Sequence, residues 1–102
     1  RQEPVKMATA LWGFFLKDGI TPSQKQEFSA YLKPRVRNAV ETLVEEDEPE
    51  KIEVLEQMGW FGQKELEDFI KIARERQKIQ ALVYLMKRKD SKYGYQEEEF
   101  EL

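Results

Sequence analysis

The sequence predicts an all-α fold of short antiparallel helical hairpins, and three observations carry that prediction. Period-2 alternation of β-branched and aromatic residues never persists, all four prolines stand where a helix would begin, and apolar residues recur at three- and four-residue spacing between recognisable caps. A chain of 102 residues with 40% hydrophobic and 36% charged composition has material for one core, so residues 1–90 are expected to form a single helical domain. Residues 91–102, with Glu97, Glu98, Glu99 and Glu101, read as an acidic tail with too little apolar surface to order itself.

The elements follow in order. Pro4 to Lys17 holds good helix formers and closes at Asp18-Gly19, where a glycine accepts the left-handed conformation. Thr21-Pro22-Ser23-Gln24 is a capping box with proline in the first helical position, so a second helix begins at Pro22. Proline disfavours helical geometry in the residue before it, and Lys33-Pro34 should therefore stop or kink this helix and open a third, running to about Glu46. Asp47-Glu48-Pro49-Glu50 reads as an aspartate cap followed by a fourth helix over 48–58, which Gly59 ends. After the apolar turn Trp60-Phe61-Gly62, helical spacing returns over 63–75 and again over 78–89. Nothing between Glu75 and Lys78 is a strong breaker, so one continuous helix over 63–89 is the rival reading.

A shift of thirty positions aligns Ala39 with Phe69, Val40 with Ile70, Leu43 with Ala73, Ile52 with Leu82 and Leu55 with Leu85. These residues resemble ankyrin-type repeats, in which a helix, a short turn and a second helix with an apolar stripe recur at a period of about 33. One unit spans Asn38 to Gly59 and the next Asp68 to Met86, although both lack the Thr-Pro-Leu-His tetrapeptide and replace the usual Gly-His with Asp47-Glu48 and Arg76-Gln77. Tyr31 to Asp47 with Ala81 to Arg88 is likewise similar to degenerate ankyrin-like modules at the ends of large bacterial multidomain proteins. The resemblance implies a helical solenoid serving as a protein-interaction or packing module, and it transfers no catalytic residue.

Composition narrows the chemistry. With no Cys and no His there is no thiolate nucleophile, imidazole base, disulfide framework or Cys/His zinc site. The acidic run Glu45 to Glu48 lacks the glycine and alternating ligands of a calcium loop, and no phosphate loop or nucleophile elbow occurs. We therefore expect no enzyme and no cofactor. No stretch reaches the roughly 18 apolar residues of a membrane span. The start at Arg1 suggests a piece of a longer protein, and the absence of any secretory feature leans towards the cytoplasm.

Charge is segregated along the chain, with net values of +4 over 1–40, −9 over 41–68, +6 over 69–92 and −4 over 93–102. The first helix carries apolar residues around most of its circumference, more than one core-facing stripe accounts for. If Trp12 and Phe15 enter the core with Phe28 and Leu32, then Leu11 and Phe14 point outward, towards a protein partner, a neighbouring domain or a second copy in a homodimer. The loop aromatics Trp60 and Phe61 are the other expected contact. The alternative is a nucleic-acid adaptor using Lys71, Arg74, Lys78, Lys87, Arg88 and Lys89, with tyrosines for base stacking; the acidic pI of about 5.1 argues against it. The expected apolar spine comprises Leu11, Trp12, Phe15, Phe28, Leu32, Val36, Val40, Leu43, Ile52, Leu55, Leu66, Phe69, Ile70, Leu82 and Leu85.

Overall fold

The computed structural model describes residues 2–94, and among them it is helical with no strand. The helices are α1 (Gln2–Phe14), α2 (Pro22–Leu32), α3 (Val36–Glu45), α4 (Pro49–Gln57), α5 (Gln63–Glu75) and α6 (Ile79–Arg88). A 3-10 turn, Lys33–Arg35, joins α2 to α3, and a π-helical turn, Lys89–Tyr93, prolongs α6. None of these helices is long and apolar enough to cross a membrane. The chain divides into two compact units, 1–42 and 43–102, so that α3 runs across the boundary.

In the first unit α1 packs against α2. The buried apolar side chains of α1 are Met7, Ala10, Leu11 and Phe14, the i, i+3, i+4, i+7 stripe of a helix with one face turned inward. Gly13 permits this approach: a Cβ there would stand 2.6 Å from Cζ of Phe28 and 2.8 Å from its Cδ2, well inside contact distance. Lys25 lies 5.4 Å from the centre of the Phe14 ring, and Phe14 meets Phe15 edge-on at 5.0 Å. Helix α1 ends at Phe14, three residues before the expected Lys17, because the amide of Leu16 turns to the carbonyl of Gly13 and breaks the i to i−4 ladder.

The α2 start is as the capping box dictates: the Gln24 amide donates to the Thr21 hydroxyl at 3.1 Å and the Thr21 amide to the Gln24 side chain at 2.9 Å. At Lys33-Pro34 the chain passes into 3-10 geometry and does not stop. Lys33 keeps helical angles and the 3-10 turn leads straight into α3, so no hairpin loop separates α2 from α3.

In the second unit three helix ends close in one way. Asp47, Gly59 and Gln77 take left-handed φ values of 56°, 77° and 57°. Each is flanked by a pair of reversed bonds: Asp47 to Val44 with Glu48 to Leu43, Gly59 to Glu56 with Trp60 to Leu55, and Gln77 to Arg74 with Lys78 to Ala73. The turn at Gln77 separates α5 from α6, which decides against one continuous helix over 63–89. Helices α5 and α6 pack together, and Phe69, Leu66, Ala73, Ala81 and Leu85 are buried with Ile52 and Leu55 of α4. At the start of α5 the Gly62 amide donates to the Glu65 carboxylate at 2.9 Å.

Most of the expected spine is buried, with Phe15, Phe28, Val36 and Leu82 half-buried. Trp12 is the exception: it is 65% exposed, because the stripe that includes Leu11 and Phe14 takes the inward face. The helical run also passes the expected end of the domain, since Ser91, Lys92 and Tyr93 belong to the π-turn; the rest of the expected tail, 95–102, lies outside the described residues.

Candidate functional site

The second unit carries two polar ties between α4 and α6 that fix their relative direction. At one end Asp47, just before α4, accepts the amides of Ala81 at 2.7 Å and Gln80 at 3.4 Å. At the other, Glu56 of α4 meets Arg88 of α6 at 3.0 Å and Lys92 of the π-turn at 2.6 Å. Starts lie with starts and ends with ends, so the two helices run parallel.

The first tie corrects an expectation. Asp47 does not cap its own helix: its backbone closes α3 in the left-handed conformation, and its carboxylate is carried to the start of α6, where the N-cap residue Lys78 offers no acceptor. Beside it, Arg76 and Lys78 of the α5–α6 turn bind Glu45 at 2.7 and 3.5 Å. The hydrogen bond from Arg76, with the charge of Lys78, holds the Glu45 carboxyl below its usual range.

The second tie is a buried charge with two partners. Glu56 is 3% exposed. Burial by itself would raise its carboxyl, but the hydrogen bond from Lys92 and the adjoining Arg88 guanidinium, with the charges of both, outweigh it and leave the pKa lowered. The Tyr84 hydroxyl and the Arg88 Nε are buried nearby without a hydrogen-bond partner among the described residues. Burial, then the charges of Glu56 and Glu53, push the Tyr84 hydroxyl up to about 12.

Between these ties lies an open groove of about 490 Å³, lined on the α4 side by Pro49, Glu50 and Glu53 and on the α6 side by Ile79, Val83, Tyr84 and Lys87. Ile79 is 60% exposed, Val83 45% and Met86 39%, at the i, i+4, i+7 spacing of a single helix face. An apolar stripe of α6 is thus turned to solvent while Ala81 and Leu85 fill the interior.

The sequence-predicted contact residues lie elsewhere. Leu11 and Phe14 are buried within the α1–α2 unit and present no outward surface, because Gly13 lets α2 close on their face. The large exposed apolar side chains of α1 are Val5 and Trp12. Phe61 is buried edge-on against Phe69, with ring centres 5.2 Å apart, and Trp60 is half-buried. Of the basic set, Lys78 pairs with Glu45, Arg88 with Glu56, and Lys89 with Glu67 at 3.3 Å. Lys71, Arg74 and Lys87 form no ion pair among the described residues, and of these three only Lys87 borders the groove. Among the described residues no group of three or more potential metal ligands is assembled.

Of the groove residues, Ile79 and Val83 were not singled out from the sequence, and Glu50 and Glu53 stood out only as members of an acidic run. The signal was present in the i, i+4, i+7 spacing of Ile79, Val83 and Met86, but Leu82, three residues from Ile79 and four from Met86, extends that stripe towards the buried Leu85 and masks its outward direction. In comparisons with known proteins, no family model matches the chain, and no curated protein and no solved structure is significantly similar to it.

Proposed function

We propose that this chain is a non-catalytic helical module that packs against another protein surface, using the groove between α4 and α6. The observation that carries this reading is the stripe Ile79, Val83 and Met86, exposed beside a concave surface whose walls are held by Asp47 and Glu56. Leaving such a stripe in water forgoes burial worth roughly 25 cal/mol per Å² of apolar surface. A clustered apolar face with a charged rim is the ordinary form of a protein contact surface. A groove lying between parallel helices presents a straight channel, the shape that receives one helix of a partner.

The same reading includes the stacked-hairpin, ankyrin-like organisation that the sequence suggests over roughly residues 28–89. Two facts support it: the left-handed closures at Asp47 and Gln77 are thirty residues apart, and Val40 with Ile70, Leu43 with Ala73 and Leu55 with Leu85 are buried at the same interval. Gly59 uses the same closure at another interval, so the spacing of the buried residues is the better support.

A photo-crosslinking amino acid at position 83 tests the function inside cells that make the protein. A recurrent adduct with one protein surface, lost in an Ile79→Glu background, is expected. Adducts with nucleic acid or lipid, or none above those at the exposed position Arg37, would overturn the reading.

A further inference from the structure

We propose that the occupant of the α4–α6 groove is α6 of a second copy of this chain, in a two-fold dimer whose axis passes beside Val83. This inference rests on the functional reading above and adds the partner.

The surface is complementary to itself. Ile79 and Lys87 stand four residues either side of Val83 on α6, about 6 Å along the axis in each direction. Because α4 and α6 run parallel, Glu50 in the first turn of α4 lies at the Ile79 end of the groove and Glu53 lies between the two ends. An antiparallel partner α6 laid in the groove sets Val83 against Val83 and Ile79 against the partner's Met86. It also carries the partner's Lys87 to the acidic wall made by Glu50 and Glu53, and the rotation repeats that contact at the other end. Each copy supplies one cation and one acidic wall, as a two-fold contact requires. Glu50 and Lys87 have no ion pair of their own among the described residues, so both charges are available. The antiparallel arrangement also sets the basic last turn of each α6, Lys87 and Arg88, against the opposite end of its partner, so like charges are kept apart.

One helix in one groove makes a small interface, below the roughly 1,200 Å² at which specific association becomes tight, so the dimer forms and separates with concentration. Charged pairs at the rim govern which copies associate more than how strongly.

The test is sedimentation of the full chain over about a hundredfold concentration range, together with charge-exchanged chains. The wild-type mass should rise from 12.2 kDa towards twice that value. Lys87→Glu alone and Glu50→Lys/Glu53→Lys alone should each stay monomeric, since each would face its own kind at both contacts. Mixed in equal amounts they should form a mixed dimer, because both contacts are then of opposite sign. That recovery also shows that both variants are folded.

A wild-type chain that stays monomeric throughout overturns the dimer, as does a dimer indifferent to these exchanges but lost on Trp12→Glu. Association that appears only after removal of 95–102 assigns the groove to that segment and overturns it as well. If the chain is monomeric while position 83 crosslinks one foreign protein in cells, the dimer fails and the packing-module reading stands.

Discussion

The carboxylate of Asp47 accepts the backbone amide of Ala81 at 2.7 Å across 34 residues of sequence, so the residue that closes α3 also caps α6. One side chain thereby satisfies free amides at a helix start whose own N-cap residue, Lys78, makes no side-chain cap bond. The same carboxylate places a negative charge where the α6 dipole is positive.

Asp47 and Gln77 share a backbone conformation, so substitutions to glycine separate strain from capping. Gln77→Gly removes a left-handed non-glycine residue and should raise stability by about 1 kcal/mol. Asp47→Gly relieves the same strain but loses the cap, worth about 0.5–2 kcal/mol, and should be neutral or destabilising. Asp47→Asn keeps an acceptor and should lose less than Asp47→Ala. Urea unfolding of the four variants checks the order; equal effects of glycine at both positions would show that the Asp47 side chain contributes nothing.

The Glu56 tie has a pH signature. Its carboxyl is lowered in the folded chain, so its contribution is present above the usual carboxylate pKa and is lost as pH falls through the folded value. Glu56→Gln should therefore flatten the acid side of the stability profile. Replacing Arg88 and Lys92 together with Met leaves the carboxylate buried and alone, at a cost of about 3–5 kcal/mol. With its cations gone, burial dominates and the Glu56 pKa should move above its ordinary value, which NMR titration of the side-chain carboxyl would read. An unchanged value would mean that the two cations do not set it.

Tyr84 is the counterpart on the alkaline side. Its pKa of about 12 lies above the usual value of 10, so the neutral phenol is favoured in the folded chain. The associated stability is complete below pH 10 and is lost as pH rises through about 12. At neutral pH the hydroxyl has no hydrogen-bond partner among the described residues, so Tyr84→Phe should cost nothing and gain up to about 1 kcal/mol. It should also remove part of the alkaline loss. A deficit beyond about 1 kcal/mol at pH 7 would show that the hydroxyl is bonded in solution.

Gly13 is the close approach of the first unit. Gly13→Ala sets a methyl group against the Phe28 ring and should cost about 1–3 kcal/mol, despite alanine's better helix propensity. Adding Phe28→Leu should recover part of the loss, and a neutral Gly13→Ala would mean that the two helices separate freely there.

How much of this was legible depends on what each element rests on. The α2 start is local chemistry, Thr21, Pro22 and Gln24 within one turn, and the sequence states it outright. The bounds of α5, Gln63–Glu75, follow from Gly62 before it and the stripe Leu66, Phe69, Ile70 and Ala73 within it. On α1 the expected spine rightly holds Leu11, but Trp12 and Phe14 exchange places, Trp12 being exposed and Phe14 buried. Trp12 draws attention by size, but the spacing Met7, Ala10, Leu11, Phe14 was the correct guide, and Gly13 marks where a neighbour closes in. The turn at Gln77 has no glycine or proline to announce it; the pairing of α5 with α6 imposes it. The groove is harder still. Asp47 and Glu56 set its walls through partners more than thirty residues away, and no local pattern reports such pairing.

The central claim is that the Ile79, Val83 and Met86 stripe serves association and not the fold. The most direct measurement is the denaturation midpoint of the wild-type chain and of Ile79→Glu/Val83→Glu, each at low and high protein concentration. Association stabilises the folded state by mass action, so the wild-type midpoint should rise with concentration. The variant should hold the dilute wild-type value at both concentrations. A wild-type midpoint independent of concentration, or a variant destabilised by about 2 kcal/mol or more at high dilution, would contradict the claim and return these residues to the core.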